Sequence, residues 1–202
     1  MRNERMDERL KKQLEFALEM DKEKRIGRQT YLTGAIRKEN DAEHAWHLAL
    51  LTMLLSEYAD EKIDVLRTIS MVIVHDLIEI DAGDTYAYDD AGNATKRERE
   101  LKAAERIFNI LPEDQAKYFR GLWDEFEEAK TPEAKFANTM DGIQPMMLNN
   151  ATDGLAWKEH DMCQSKVRAR MDRKIKPGSK VLFDYVSELV DKNVEKGNLK
   201  ED

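Results

Sequence analysis

The chain has 202 residues with a single cysteine, Cys163, only four prolines, and no apolar stretch of membrane-spanning length. A lone cysteine excludes an internal disulfide. With no long apolar run there is no candidate transmembrane helix. The charged opening MRNERMDERLKK is not a signal peptide, so a cytoplasmic location is expected. Basic residues are also outnumbered: 33 Lys and Arg stand against 41 Asp and Glu, for a net charge of −8. Sequence-independent grip on DNA or RNA needs Lys and Arg to neutralise phosphates. Neither a nucleic-acid polymer nor a membrane is therefore expected as a partner, which leaves room for a local basic pocket holding one small phosphate. Hairpin signals are nearly absent, and no repeat or low-complexity segment is visible.

Helical patterning fills most of what remains. Apolar positions at Leu10, Leu14, Ala17 and Leu18 predict an amphipathic helix over about 7–24, and RIGRQTYLTGAIRKEN, with Gly27 and Gly34, reads as a loop. Asn40 followed by Glu43 has the form of a capping box. The helix it opens, through about Tyr58, is apolar nearly all round and is expected to be buried on most faces. A second apolar helix is predicted over about 63–80, with Gly83 as its stop. Further helices are predicted over about 95–111, 113–129, 158–171 and 179–195. Between them, Thr131-Pro132 opens one that carries Ala134, Phe136, Ala137, Met140 and Ile143 and bends at Pro145. The expectation is an all-α single domain over 1–202, long enough to bury roughly 70% of its unfolded surface.

Ionisable groups inside apolar runs are costly unless paired, hydrogen-bonded or bound to a metal, and here they cluster. In AEHAWH, His44 and His47 lie three apart on one helix face; MVIVHDLIEIDAGD carries His75, Asp76, Glu79, Asp81 and Asp84; FANTMDG sets Asp141 in an apolar helix. Each residue taken singly suits a structural role, such as a hydrogen-bonded core histidine or a paired carboxylate. Together they offer imidazole from one helix, imidazole plus carboxylate from a second and carboxylate from a third. That mixed N/O set suits one divalent ion such as Mn, Co, Ni, Fe or Zn, with positions open for water. Such an ion acidifies bound water and polarises a phosphoryl oxygen, and Glu79 just beyond the ligands is placed to move a proton.

An isolated His, a His-Asp pair and a distant Asp resemble the signature of the HD-domain metal-dependent phosphohydrolases. RKENDAEHAWH, HDLIEIDAGD and LPEDQAKYFRGLWDEFEEAKTPEAKFANTMD together look like the 5′-deoxynucleotidase branch of that family, over a core of about 10–189. The resemblance implies an HD-domain helical bundle with His44, His75, Asp76 and Asp141 as metal ligands. It also implies Glu79 and Asp84 as the acidic residues acting beside the metal on a nucleoside 5′-monophosphate, and a homodimer. His47 does not match a ligand and reads as supporting or substrate-facing. Arg37 matches, and its guanidinium suits bidentate phosphate binding. The family's Arg-Trp dipeptide is not preserved; Arg28, Gln29, Thr30 and Tyr31 stand in its neighbourhood, with Arg28 a further candidate for substrate binding. The run KREREL at 96–101 reads as a solvated helix face, and Trp157 and His160 as closing the pocket or meeting a second subunit.

Three rivals remain open at this level. One is a phosphohydrolase acting on another small phosphate ester, and a second is a non-catalytic helical binding module that keeps the metal. A di-iron carboxylate bundle wants Glu three residues before each liganding His; here those positions hold Asp41, His44 and Val72.

Overall fold

The computed structural model describes residues 2–88 and 90–202, with side chains described for 7–88 and 94–202. The fold is all-α apart from a small antiparallel ribbon of β1 (Gly27–Tyr31) and β2 (Lys38–Asn40). The helices are α1 (Arg2–Met20), α2 (Asp41–Leu55), α3 (Val65–Val74), α4 (Glu79–Ala82), α5 (Asp90–Phe108), α6 (Glu113–Glu128), α7 (Pro132–Ala151), α8 (Leu155–Glu159), α9 (Gln164–Lys174) and α10 (Lys180–Glu195).

The helix starts follow local chemistry. Asn40 Oδ1 accepts from the Glu43 N–H at 3.0 Å, and Glu43 Oε2 accepts from the Asn40 N–H at 3.1 Å, which completes the capping box of α2. Thr131 caps α7 by accepting from the Ala134 N–H at 3.2 Å. α7 is the centre of the molecule: it packs against α2, α3, α6, α9 and α10 and is buried along most of its length. Phe136, Met140 and Ile143 of α7 meet Leu48, Met71, Leu122, Trp123, Met171 and Ile175 in a continuous core. α7 runs through Pro145, whose missing N–H leaves the Asp141 carbonyl without its helical donor.

Several expectations need correction. The segment read as a loop holds the β1–β2 ribbon, because its glycines punctuate paired strands instead of ending structure. α1 does not bury the stripe predicted for it: Leu10, Leu14 and Leu18 face outward, while Phe16 docks edge-on against Phe119 at 5.4 Å. α2 is buried on one side only, with Trp46, Met53 and Leu54 all at least 60% exposed. The helix predicted over 158–171 is two, α8 and α9, separated where Asp161 takes a left-handed φ of 51°.

The helix predicted over 63–80 also divides, and this break shapes the site. After Val74 the hydrogen bonds tighten to the i→i−3 pattern: Leu77 N–H to Val74 O at 3.2 Å and Glu79 N–H to Asp76 O at 2.8 Å. In such a turn residues three apart eclipse one another, so Asp76 and Glu79 project the same way. Gly83 ends α4 with a φ of 73°, a conformation glycine adopts without strain.

Candidate metal centre and adjoining cavity

α2 delivers His44, the end of α3 delivers His75 and Asp76, and α7 delivers Asp141. Their burial is nearly complete. His44 directs Nδ1 at Gln144 Oε1 (3.1 Å), and His75 directs Nδ1 at the Val72 carbonyl (2.9 Å). Outer hydrogen bonds of this kind fix ring orientation and leave Nε2 for a metal. Both Nε2 atoms are buried with no hydrogen-bond partner, and ligand atoms of His44, His75 and Asp141 lie within 4.8 Å of one another. Asp76 Oδ2 completes the group at 3.0 Å from His75 Nε2 and 3.9 Å from His44 Nε2. Two imidazole nitrogens with two carboxylates fit a borderline divalent ion.

Electrostatics hold His44 and the two carboxylates in ligating form, whereas Asp76 and Asp141 raise the His75 pKa against its burial, so His75 gives up a proton when it ligates. Burial and then Arg28 push the His44 pKa down to about 4, so it is neutral at pH 7. Burial favours the protonated form of Asp141, but Lys174, His44 and Arg170 outweigh it and hold the carboxyl well below the usual range. Asp76 is likewise held low against its burial, by His75 and Arg28.

Beside this cluster stands a second, acidic group in which oxygens of Asp41, Asp76 and Glu79 lie within 4.8 Å. Arg28, carried inward by β1, donates to Asp41 Oδ1 at 3.0 Å and to Asp76 Oδ2 at 2.9 Å. Burial, then Asp76 and Asp41, raise the Glu79 pKa well above the usual carboxylate range. Neighbouring Asp41 has its own pKa raised to about 7 by burial and Asp76. A protonated carboxyl therefore sits against the metal cluster at neutral pH.

The two groups open onto a cavity of about 540 Å3 lined by Arg28, Glu79 and Asp84 and, further out, by Tyr86, Trp157 and Arg170, among others. Asp84 follows Gly83 at its edge, with its pKa raised chiefly by burial. Thus His44, His75, Asp76, Asp141, Glu79, Asp84 and Arg28 are brought together. His47 is not at the cavity wall; its Nδ1 lies 3.3 Å from Gln144 Nε2, behind His44. Arg37 is not brought to the cavity either, being ion-paired with Glu43 on the surface. Lys96, read as solvated, lines the cavity and pairs with Glu100 at 3.3 Å. Trp157 is buried in the cavity wall, and His160 stacks on Tyr86 at 4.2 Å.

Residues passed over in the sequence carry much of this arrangement. Gln144 bridges His44 and Glu39, donating to Glu39 Oε2 at 2.8 Å. Its position three after Asp141 on one helix was a usable signal, as was that of Asp41 three before His44. Arg170 and Lys174, which approach Asp141 Oδ2 at 3.5 and 3.3 Å, carry no such signal.

A helical domain closing two imidazoles and two carboxylates over a polar cavity defines a buried His/Asp metal-centre class. The chain belongs to the HD-domain family, whose model matches residues 20–182. It is 29% identical over 122 residues to human 5′-deoxynucleotidase HDDC2, covering 60% of this chain and 58% of that protein. It is 30% identical over 135 residues to the Xenopus laevis protein of the same name, covering 66% of each. The chain thus spans about three fifths of the length of the human relative. A solved structure of a predicted metal-dependent phosphohydrolase from Magnetospirillum magnetotacticum superposes with a TM-score of 0.90 at 46% identity, over 95% of both chains.

Proposed function

We propose that the protein is a metal-dependent phosphohydrolase, a 5′-nucleotidase releasing phosphate from 2′-deoxynucleoside 5′-monophosphates, with His44, His75, Asp76 and Asp141 as ligands of one divalent ion. The observation that carries this reading is the pair of buried, unpartnered imidazole nitrogens converging with carboxylates at the head of the cavity. Its support from relatives is the name 5′-deoxynucleotidase on the human and Xenopus proteins and that of phosphohydrolase on the Magnetospirillum structure. An ion in this site lowers the pKa of a bound water and polarises a phosphoryl oxygen. Glu79, held protonated, serves as general acid toward the leaving 5′-oxygen, while Asp84 at the cavity edge takes up the proton released from water. Arg28 keeps Asp76 ionised and oriented.

The test is a metal-loaded screen of nucleoside monophosphates and other phosphate esters with phosphate release as readout. Turnover confined to esters without a nucleoside points to a different small phosphate substrate. No turnover across the panel in metal-loaded protein leaves a binding module. Exclusion of the 2′-hydroxyl leaves a buried polar group unpaired, at about 1–3 kcal/mol, so deoxy substrates should lead ribo counterparts in kcat/KM by about 5- to 150-fold.

We infer further that the protein works as a cytoplasmic homodimer. α2 turns Trp46, Leu50, Met53 and Leu54 outward at the spacing of one face, and α3, packed beside it, exposes Leu66 and Ile73. Apolar patches of this kind mark interaction surfaces.

A further inference from the structure

We propose that α9, together with Tyr88, forms an anion-binding wall that seats the substrate phosphate against the His44–His75–Asp141 cluster. This deepens the phosphohydrolase reading and rests on it for the identity of the substrate. Arg170, Arg173 and Lys174 recur at helical spacing on one face of α9, and all three line the cavity. Arg170 and Lys174 both approach the single oxygen Asp141 Oδ2, so positive charge exceeds the carboxylate that faces it. Arg173 has no carboxylate within ion-pair distance among the described residues.

The second observation is independent of charge counting. The Tyr88 hydroxyl is buried at the same cavity and has no hydrogen-bond partner. Burial raises its pKa, and Arg170 and Arg173 are close enough to oppose that shift. A phosphate oxygen there accepts from the phenol and from guanidinium N–H groups, which satisfies the orphaned hydroxyl and the surplus cations together. The arginines offered by the other end of the site are already engaged: Arg28 with Asp41 and Asp76, Arg37 with Glu43 outside the cavity. Phosphate recognition therefore falls to α9 and Tyr88, and not to the segment preceding His44.

The probe is inorganic phosphate, titrated calorimetrically into manganese-loaded full-length protein, alongside KM and kcat for a deoxynucleoside monophosphate. Arg173→Ala alters only a rim side chain, so its fold is safe; Tyr88→Phe removes one hydroxyl; the Arg170→Ala/Arg173→Ala double variant removes most of the wall. Charge-assisted hydrogen bonds set the scale, so phosphate affinity should fall about 10-fold in Arg173→Ala and further in the double variant. In Arg173→Ala, KM should rise in parallel while kcat moves less than about 3-fold and manganese content stays constant. Arg168→Ala, which loses an outward pair with Asp191, is the control and should match wild type. Unchanged phosphate affinity in the double variant with full manganese, or no phosphate binding by the wild type, overturns the wall. Phosphate binding needs no turnover, so a failed hydrolysis screen would remove the enzyme reading while leaving this measurement decisive.

Discussion

Glu79 occupies a position where burial and two neighbouring carboxylates keep it protonated, one tight turn from Asp76. Glu79→Gln keeps its shape and removes its proton. Metal content should stay near normal while turnover drops by about 10²–10⁴-fold; wild-type turnover would assign the acid to another group. His75→Ala or Asp141→Ala should lose metal and activity together, and elemental analysis showing full occupancy would refute the ligand set. Burial also lifts Glu23 to about 8, with Asp76 and Asp41 adding to it. A raised carboxyl pKa means the folded chain binds more protons than the unfolded one, so stability falls as pH climbs toward that value. His44 opposes this only weakly, since its unfolded imidazole is half deprotonated by pH 6.5 and loses the rest of its proton by about pH 8. Chelator-treated protein should therefore melt lower at pH 8 than at pH 6.5, and Glu23→Gln should narrow the difference, with Asp41 and Glu39, both lifted to about 7, keeping the rest. At this scale the gathering of His44, His75, Asp76 and Asp141 was legible because imidazole and carboxylate in apolar helices need a reason to be there. The bond between Gln144 and Glu39 was not, since it joins residues 105 positions apart.

Elements place these residues more finely than periodicity can. The stretch from Ile63 to Ile80 stays apolar across the break at Val74, because Leu77 and Ile78 are as buried as Met71 and Val72. Apolar patterning thus carried no mark of the tightened turn that aligns Asp76 with Glu79. The β1–β2 ribbon escaped notice for a related reason: its strands are short, and the feature that matters, Arg28 facing inward, depends on pairing. Gly142 controls another placement. A Cβ there would meet Ile175 Cγ1 at 2.7 Å and Lys174 Cβ at 3.2 Å, so its absence lets α9 close on α7 beside Asp141. Gly142→Ala should cost about 1–3 kcal/mol through overpacking, despite the better helix former. Calorimetry should record a lower Tm, accompanied by weaker metal binding as Lys174 and Arg170 are pushed off Asp141. An unchanged Tm would mean α9 yields without penalty.

For the whole molecule, the outward face of α2 and α3 is the feature unaccounted for within one chain. The sequence declared α2 apolar on every side; which side finds cover inside the chain and which outside is decided by tertiary packing. Met53→Glu with Leu66→Glu places charge on that face without touching the cavity. Sedimentation should show a monomer that keeps its metal, and an unaltered dimer would locate the interface elsewhere. Meanwhile His44 leans on Gln144, and Asp141 on Arg170 and Lys174. During synthesis the first imidazole therefore leaves the ribosome long before its support exists, and the last carboxylate waits for a further helix to hold its charge. Contacts this far apart in sequence form late. An ion held by these four side chains would consequently join a chain whose helices through α9 have already been made.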